Sequence, residues 1–266
     1  MIRIATMVAA MLASLVGFAP EARAGLSTGE LKAIAAAPAP NAALPLALSF
    51  RDDAGQPRTL ADALGGRPAV LIFADYTCHT LCGPILDFTA AALRQSGLRP
   101  GADFRLIVIG IDPKDGVATA RAMRNERIGA GDPIAPAAVF LTGSEPEIRA
   151  VTAALGYRYA YDAAHDQYAH PAAAYVLDAR GTVARVLSGV GLSGADMRLA
   201  LVGAGNGHVG TFADRIRLLC YGYDPVRGIY TERITFFLEL GALATIAALA
   251  GSIALMVAKT RRRGVQ

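Results

Sequence analysis

Charge is scarce in this chain. Asp, Glu, Lys and Arg make up 18% of its 266 residues, against 53% hydrophobic ones. A mean hydropathy of +0.37 is too high for an ordinary soluble protein, so apolar segments are expected outside any core. Cysteine is scarcer: three residues exclude a small fold stapled by many disulfides. No internal repeat is present, which excludes solenoid and propeller architectures. The length leaves room for one substantial domain with appendages and for no second full domain.

The apolar excess lies at the two ends. Arg3 precedes an apolar run from Ile4 to Phe18, and Ala22-Arg23-Ala24 offers small residues for cleavage, so residues 1–24 read as an export signal. No cysteine sits at that cut, so lipid attachment there is not indicated. Residues 234–258 are almost wholly apolar, with Glu239 as the one charge, and Lys259, Arg261, Arg262 and Arg263 follow. That length and that basic flank predict a single transmembrane helix with residues 259–266 as a basic cytoplasmic tail and the remainder outside the membrane. Glu239, near the outer boundary, is expected to reach the headgroups. Small residues Gly241, Ala244, Ala248 and Ser252 allow a homodimer through the span.

The pI near 9.1 follows from this topology. Arg3, Glu21 and Arg23 leave the leader at +1, the tail adds four positive charges and Glu239 removes one, so the formal +4 vanishes for the exported part. Nucleic-acid binding therefore has no support.

Residues 25–45, rich in Ala and Pro without periodicity, read as a linker, and residues 46–204 as the domain, with 205–233 as a juxtamembrane segment. A buried strand over Ala69–Ala74 runs into Cys78, and a helix over about Pro84–Gln95 follows. FRLIVIGID is a strand covered on both faces. A helix over Val117–Arg127, the strand AAVFLTG and a helix opened by a Ser144 and Glu147 capping box come next. After a loop holding His165 and His170, AAAYVLD and TVARVLSG form a hairpin, and a helix over Gly194–Val202 closes the unit. The pattern predicts an α/β, thioredoxin-like mixed sheet flanked by helices.

Cys78 and Cys82 stand at the turn from strand to helix, where the helix dipole and free backbone N–H groups stabilise a thiolate. If the residues between them are helical, both sulfurs share one face. In the thioredoxin pattern a proline, typically cis, precedes the hairpin strand and packs against the cysteine turn. Pro171 is placed for that role, which would bring His170 beside the sulfurs. Two soft thiolates and one imidazole suit Cu(I), whereas Zn(II) usually takes a fourth ligand.

These stretches resemble the Sco/SenC family of exported copper proteins that serve cytochrome c oxidase assembly. The resemblance is carried by YTCHTLC, IDPKD, HPAAAYVLDARG and LCYGYDPVRGIY and covers about Leu46 to Tyr230. It implies Cu(I) or Cu(II) bound by Cys78, Cys82 and His170, and copper delivery to the binuclear copper centre of the oxidase's copper-bearing subunit. Other exported copper carriers or thiol reductants are implied as further partners. Three departures stand out: Gly83 separates Cys82 from Pro84, His79 follows the first cysteine, and the predicted anchor is C-terminal.

Other readings remain open at this stage. Cys78 and Cys82 could form a disulfide, structural or as the redox pair of a thiol-disulfide oxidoreductase that keeps oxidase-subunit cysteines reduced. The wider spacing and His170 favour metal over a purely redox role. Copper sensing or buffering is a third class. His79 is an auxiliary ligand candidate, His165 and His208 are expected to face solvent, and Asp75 and Asp112 are expected to serve turns or to support the ligands. Cys220 has apolar neighbours that favour burial.

Overall fold

The computed structural model describes residues 26–78, 82–188, 191–206, 209–211, 214, 221–224, 229–232, 241–253 and 256. The predicted signal and basic tail, together with His79, His208, Cys220 and Glu239, lie outside the described residues.

Seven strands form the central sheet. In chain order these are β2 (Ser49–Asp52), β3 (Pro57–Thr59), β4 (Ala69–Ala74), β5 (Arg105–Gly110), β6 (Ala138–Thr142), β10 (Ala173–Leu177) and β11 (Val183–Ser188). Across the sheet they run β11-β10-β4-β5-β6-β2-β3. The middle three are parallel, and β10 pairs antiparallel with β4, Ala174 facing Ile72. Every residue of β4 and of β10 is buried, as expected for strands covered on both faces.

The alternation along β4 divides the core in two. Val70 and Ile72 pack beneath α3 (Cys82–Gln95), α4 (Val117–Arg127) and α6 (Gly194–Ala204), through Leu86, Leu93, Met123, Met197 and Leu201. Leu71 and Phe73 face α2 (Leu60–Leu64) and α5 (Glu145–Ala154), meeting Leu60, Leu64, Ile148, Val151 and Tyr175. The architecture is the mixed, thioredoxin-like sheet flanked by helices that the sequence predicts.

Three local differences from the sequence reading bear on the site. First, residues 26–45 are laid against the domain. They comprise α1 (Thr28–Ala33) and β1 (Ala35–Ala36), which pairs with β7 (Tyr157–Arg158), and Ala43 bridges to Thr182. Leu44 is buried, and a short apolar stretch lacking periodicity can dock in this way without announcing itself. The crossing demands Gly156: its φ is +61°, and a Cβ there would lie 2.2 Å from the Ala37 carbonyl oxygen.

Second, the loop expected to hold the histidines contains a hairpin, β8 (Ala160–Asp162) with β9 (Gln167–Ala169). Third, α3 starts at Cys82, two residues before the predicted start at Pro84. Gly83 and Pro84 are accommodated because first-turn N–H groups have no partner inside the helix, so a proline there loses no bond.

Beyond the domain, β12 (Tyr221–Asp224) pairs with β13 (Ile229–Glu232). Residues 241–253 are helical, with Leu243, Ile246, Leu249 and Ile253 all exposed. Among the described residues no helix is long and apolar enough to cross a membrane; the rest of the predicted span, 234–240 and most of 254–258, lies outside them.

Candidate metal centre

The carboxyl ends of β4 and β5 and the tip of the β8–β9 hairpin surround an open cavity of about 570 Å³, lined by Thr77, Cys78, Asp112, Lys114, Asp115, His165, Asp166 and Gln167. Ligands collect at such strand ends because loops there diverge over a rigid sheet.

Cys78 occupies the turn leaving β4 and precedes the helix that begins at Cys82. Its N–H donates to the Asp75 carbonyl at 3.3 Å, which closes the turn. The thiol is half-buried and donates toward Gln167 Oε1 at 3.6 Å. Cys82 takes the first position of α3, where the dipole favours a thiolate; its side chain lies outside the described residues. Residues 79–81, on which a shared helical face for the two sulfurs depends, lie outside the described residues.

Below the thiol turn, Tyr76 is pinned. Its hydroxyl lies 2.9 Å from both the Val108 and the Leu141 carbonyl oxygens, and accepts from the Leu141 N–H at 3.2 Å. Its own N–H donates to Asp115 Oδ2 at 2.9 Å. These bonds root the cysteine turn in β5 and β6.

His170 follows β9 directly. Its Nδ1 is 2.8 Å from the Tyr157 hydroxyl and 3.2 Å from the Pro171 carbonyl oxygen, and Tyr157 Oη is itself 3.2 Å from that oxygen. One proton arrangement satisfies the set: Nδ1–H donates to Tyr157, whose hydroxyl donates to Pro171. Nε2 then carries the lone pair. Metal-binding histidines are commonly oriented in this way, by a hydrogen bond from the other ring nitrogen. Burial holds the imidazole below its usual pKa, against opposing effects of the Pro171 carbonyl and the Asp75 charge. A neutral ring at pH 7 is the form that binds a soft cation. The bond before Pro171 is trans, since no described peptide bond is cis, where the thioredoxin pattern suggested cis. The turn is closed instead by the Ala173 N–H donating to the Pro171 carbonyl at 3.0 Å.

Asp75, wholly buried, reaches both sides. Oδ1 accepts from the Thr77 N–H at 3.1 Å and its hydroxyl at 3.0 Å, and Oδ2 accepts from the Tyr168 N–H at 3.0 Å. Asp112 serves its turn, accepting from the Lys114 N–H at 2.8 Å. His165 is exposed and engages Asp162. Among the described residues no three His, Cys, Asp or Glu side chains are grouped closely enough to hold a metal ion.

Asp115 is buried, and its Oδ1 has no hydrogen-bond partner. Burial, reinforced by the negative charges of Asp75 and Asp112 and opposed by the Tyr76 N–H, pushes its carboxyl up to about 6. The folded value exceeds the unfolded one, so the folded state holds this proton more tightly. The resulting stability is present below about pH 4 and lost as pH rises through about 6. Asp115→Asn is therefore expected to raise the melting temperature at pH 8 and to leave it unchanged at pH 4, as thermal melts at the two pH values would record.

A family model described as SCO1/SenC matches residues 37–197. The chain belongs to the SCO1/SenC family. Solved structures share its fold. A candidate electron transfer protein from Aquifex aeolicus VF5 is 21% identical with a TM-score of 0.57, covering 63% of this chain and 95% of that one. ScoI of Arabidopsis thaliana, with copper bound, is 22% identical with a TM-score of 0.50, covering 59% and 94%. BsSco, described as a Sco-family cytochrome c oxidase assembly protein with a disulfide switch, is 20% identical with a TM-score of 0.51, covering 63% and 96%. No curated protein matches the chain.

On this SCO1/SenC frame, sequence reasoning missed Tyr157 and Gln167. Gln167 stands out once the alternation in AYD and QYA is read as a hairpin. Tyr157 carries no sequence signal of its own, being one of four tyrosines between residues 157 and 168.

Proposed function

We propose that this SCO1/SenC protein is an exported, membrane-tethered copper carrier that binds Cu(I), and also Cu(II), through Cys78, Cys82 and His170. The observation that carries the reading is the hydrogen bonding of His170: Nδ1 is committed to Tyr157 and Pro171, which suits Nε2 to a metal. The contact of Cys78 with Gln167 supports it by bringing the thiol to the strand that leads into His170. The donor set fits copper, since thiolate is a soft ligand and imidazole accepts either valence.

Copper here is cargo. Cys78 lies beside an open cavity, so an incoming ligand has room to approach and displace it. The acceptor we infer is the copper-bearing subunit of cytochrome c oxidase, at its binuclear centre, with other exported copper carriers or thiol reductants upstream. The exposed apolar side chains of residues 241–253 and Met256 support a membrane anchor there, with the domain on the extracytoplasmic side.

The test is an anaerobic Cu(I) titration of the reduced full chain in detergent against a competing chelator, beside His170→Ala. One-equivalent binding, weakened at least about tenfold by the substitution, is the expected result. Weak binding indifferent to His170 would move the assignment to a thiol-disulfide oxidoreductase working through Cys78 and Cys82.

A further inference from the structure

Asp75 joins two segments that are far apart in sequence. On one side its Oδ1 takes the N–H and hydroxyl of Thr77, and its carbonyl takes the N–H of Cys78. On the other, its Oδ2 takes the N–H of Tyr168, 93 residues away and two before His170. Placing a carboxylate in the interior is costly unless its lone pairs are satisfied by hydrogen bonds. A turn alone needs no such group, because an asparagine or serine at the surface closes one as well. What a carboxylate adds is two oxygens that accept in different directions, one toward each segment.

We propose that Asp75 is the positioning residue of the centre: by clamping the thiol turn on one oxygen and β9 on the other, it sets the separation between Cys78 and His170. The inference rests on the copper reading above and adds the device that fixes the geometry of that site. Cys78 Sγ to Gln167, at 3.6 Å, joins the same two segments, and Lys114, in the loop after β5, meets Asp166 in the hairpin at 2.7 Å. The first is longer and weaker, and the second is an exposed ion pair worth little in water. In the Asp75 crossing the accepting carboxylate is itself wholly buried, so water competes for it less than for the exposed ion pair.

The experiment is a double-mutant cycle on Cu(I) affinity, measured anaerobically on the reduced full chain in detergent with a competing chelator. The proteins are wild type, Asp75→Ala, His170→Ala and the double variant. Positioning partners of metal ligands typically contribute 10- to 100-fold in affinity, and Asp75→Ala is expected to lose about that much. Adding His170→Ala should then cost little more, because the imidazole has already left its place. A residue that merely stabilised the fold would lower the melting temperature and leave the two affinity losses additive. Asp75→Asn, which keeps one acceptor oxygen, should fall between wild type and Asp75→Ala.

Thr77→Val removes one hydroxyl from the clamp and covers the case in which Asp75→Ala does not fold. It too should weaken binding less than additively with His170→Ala. His170-dependent binding in wild type with additive losses in both cycles overturns this inference alone. Wild-type binding indifferent to His170 overturns the copper reading, and the inference with it.

Discussion

Replacing Cys78 with serine is expected to weaken Cu(I) binding by the reduced protein by about a thousand-fold, or about 4 kcal/mol. Serine keeps the size of the side chain and removes the soft, ionisable sulfur. Its hydroxyl stays protonated at neutral pH and is a hard donor that Cu(I) accepts poorly. Gln167 Oε1, toward which the thiol donates, is an amide oxygen and equally unsuited. The loss should exceed that of His170→Ala, because a thiolate contributes charge as well as a lone pair. Competition titrations of the two variants side by side give the ordering, and an affinity unchanged in Cys78→Ser would refute the ligand assignment.

Phe73→Ala is expected to destabilise the domain by about 3 to 5 kcal/mol, a large share of the roughly 5 to 15 kcal/mol that holds a domain folded. The Phe73 ring is fully buried, with its centroid 4.3 Å from that of Tyr157 and 6.1 Å from that of Tyr175. Truncation leaves a cavity directly behind the tyrosine that orients His170. Urea denaturation would measure the stability loss. The milder Phe73→Leu should fold and bind Cu(I) more weakly than wild type, because Tyr157 loses the ring against which it packs. If Phe73→Leu lowers stability with no change in copper affinity, Tyr157 is not held by that contact.

The central sheet was legible in the sequence because its signal is local. AVLIFA and LIVIG are unbroken apolar runs, and the Ser144 and Glu147 pair marks a helix start within four residues. Cys78, Cys82 and His170 stood out by chemistry and by resemblance. Asp75 was visible as a residue at a strand end, whereas its bond to Tyr168 depends on tertiary placement and has no local trace. Tyr157 was hidden for the same reason: its partner His170 lies 13 residues on, across a hairpin too short to show a clear period. The docking of residues 35–44 escaped because two-residue pairing with β7 and one bridge at Thr182 need no pattern longer than two residues.

The clamp between Asp75 and Tyr168 has a consequence for the order of events in the life of the chain. Its two ends are 93 residues apart, and β10, which continues from His170, pairs with β4 over a similar separation. Closing so long a loop carries an entropic cost that local helices and turns do not, and contacts of this kind form late in folding. A chain still emerging or partly folded therefore presents its thiols without the histidine. Under the proposed ligand set, binding by all three groups would await completion of the sheet, and an immature chain would hold copper only loosely.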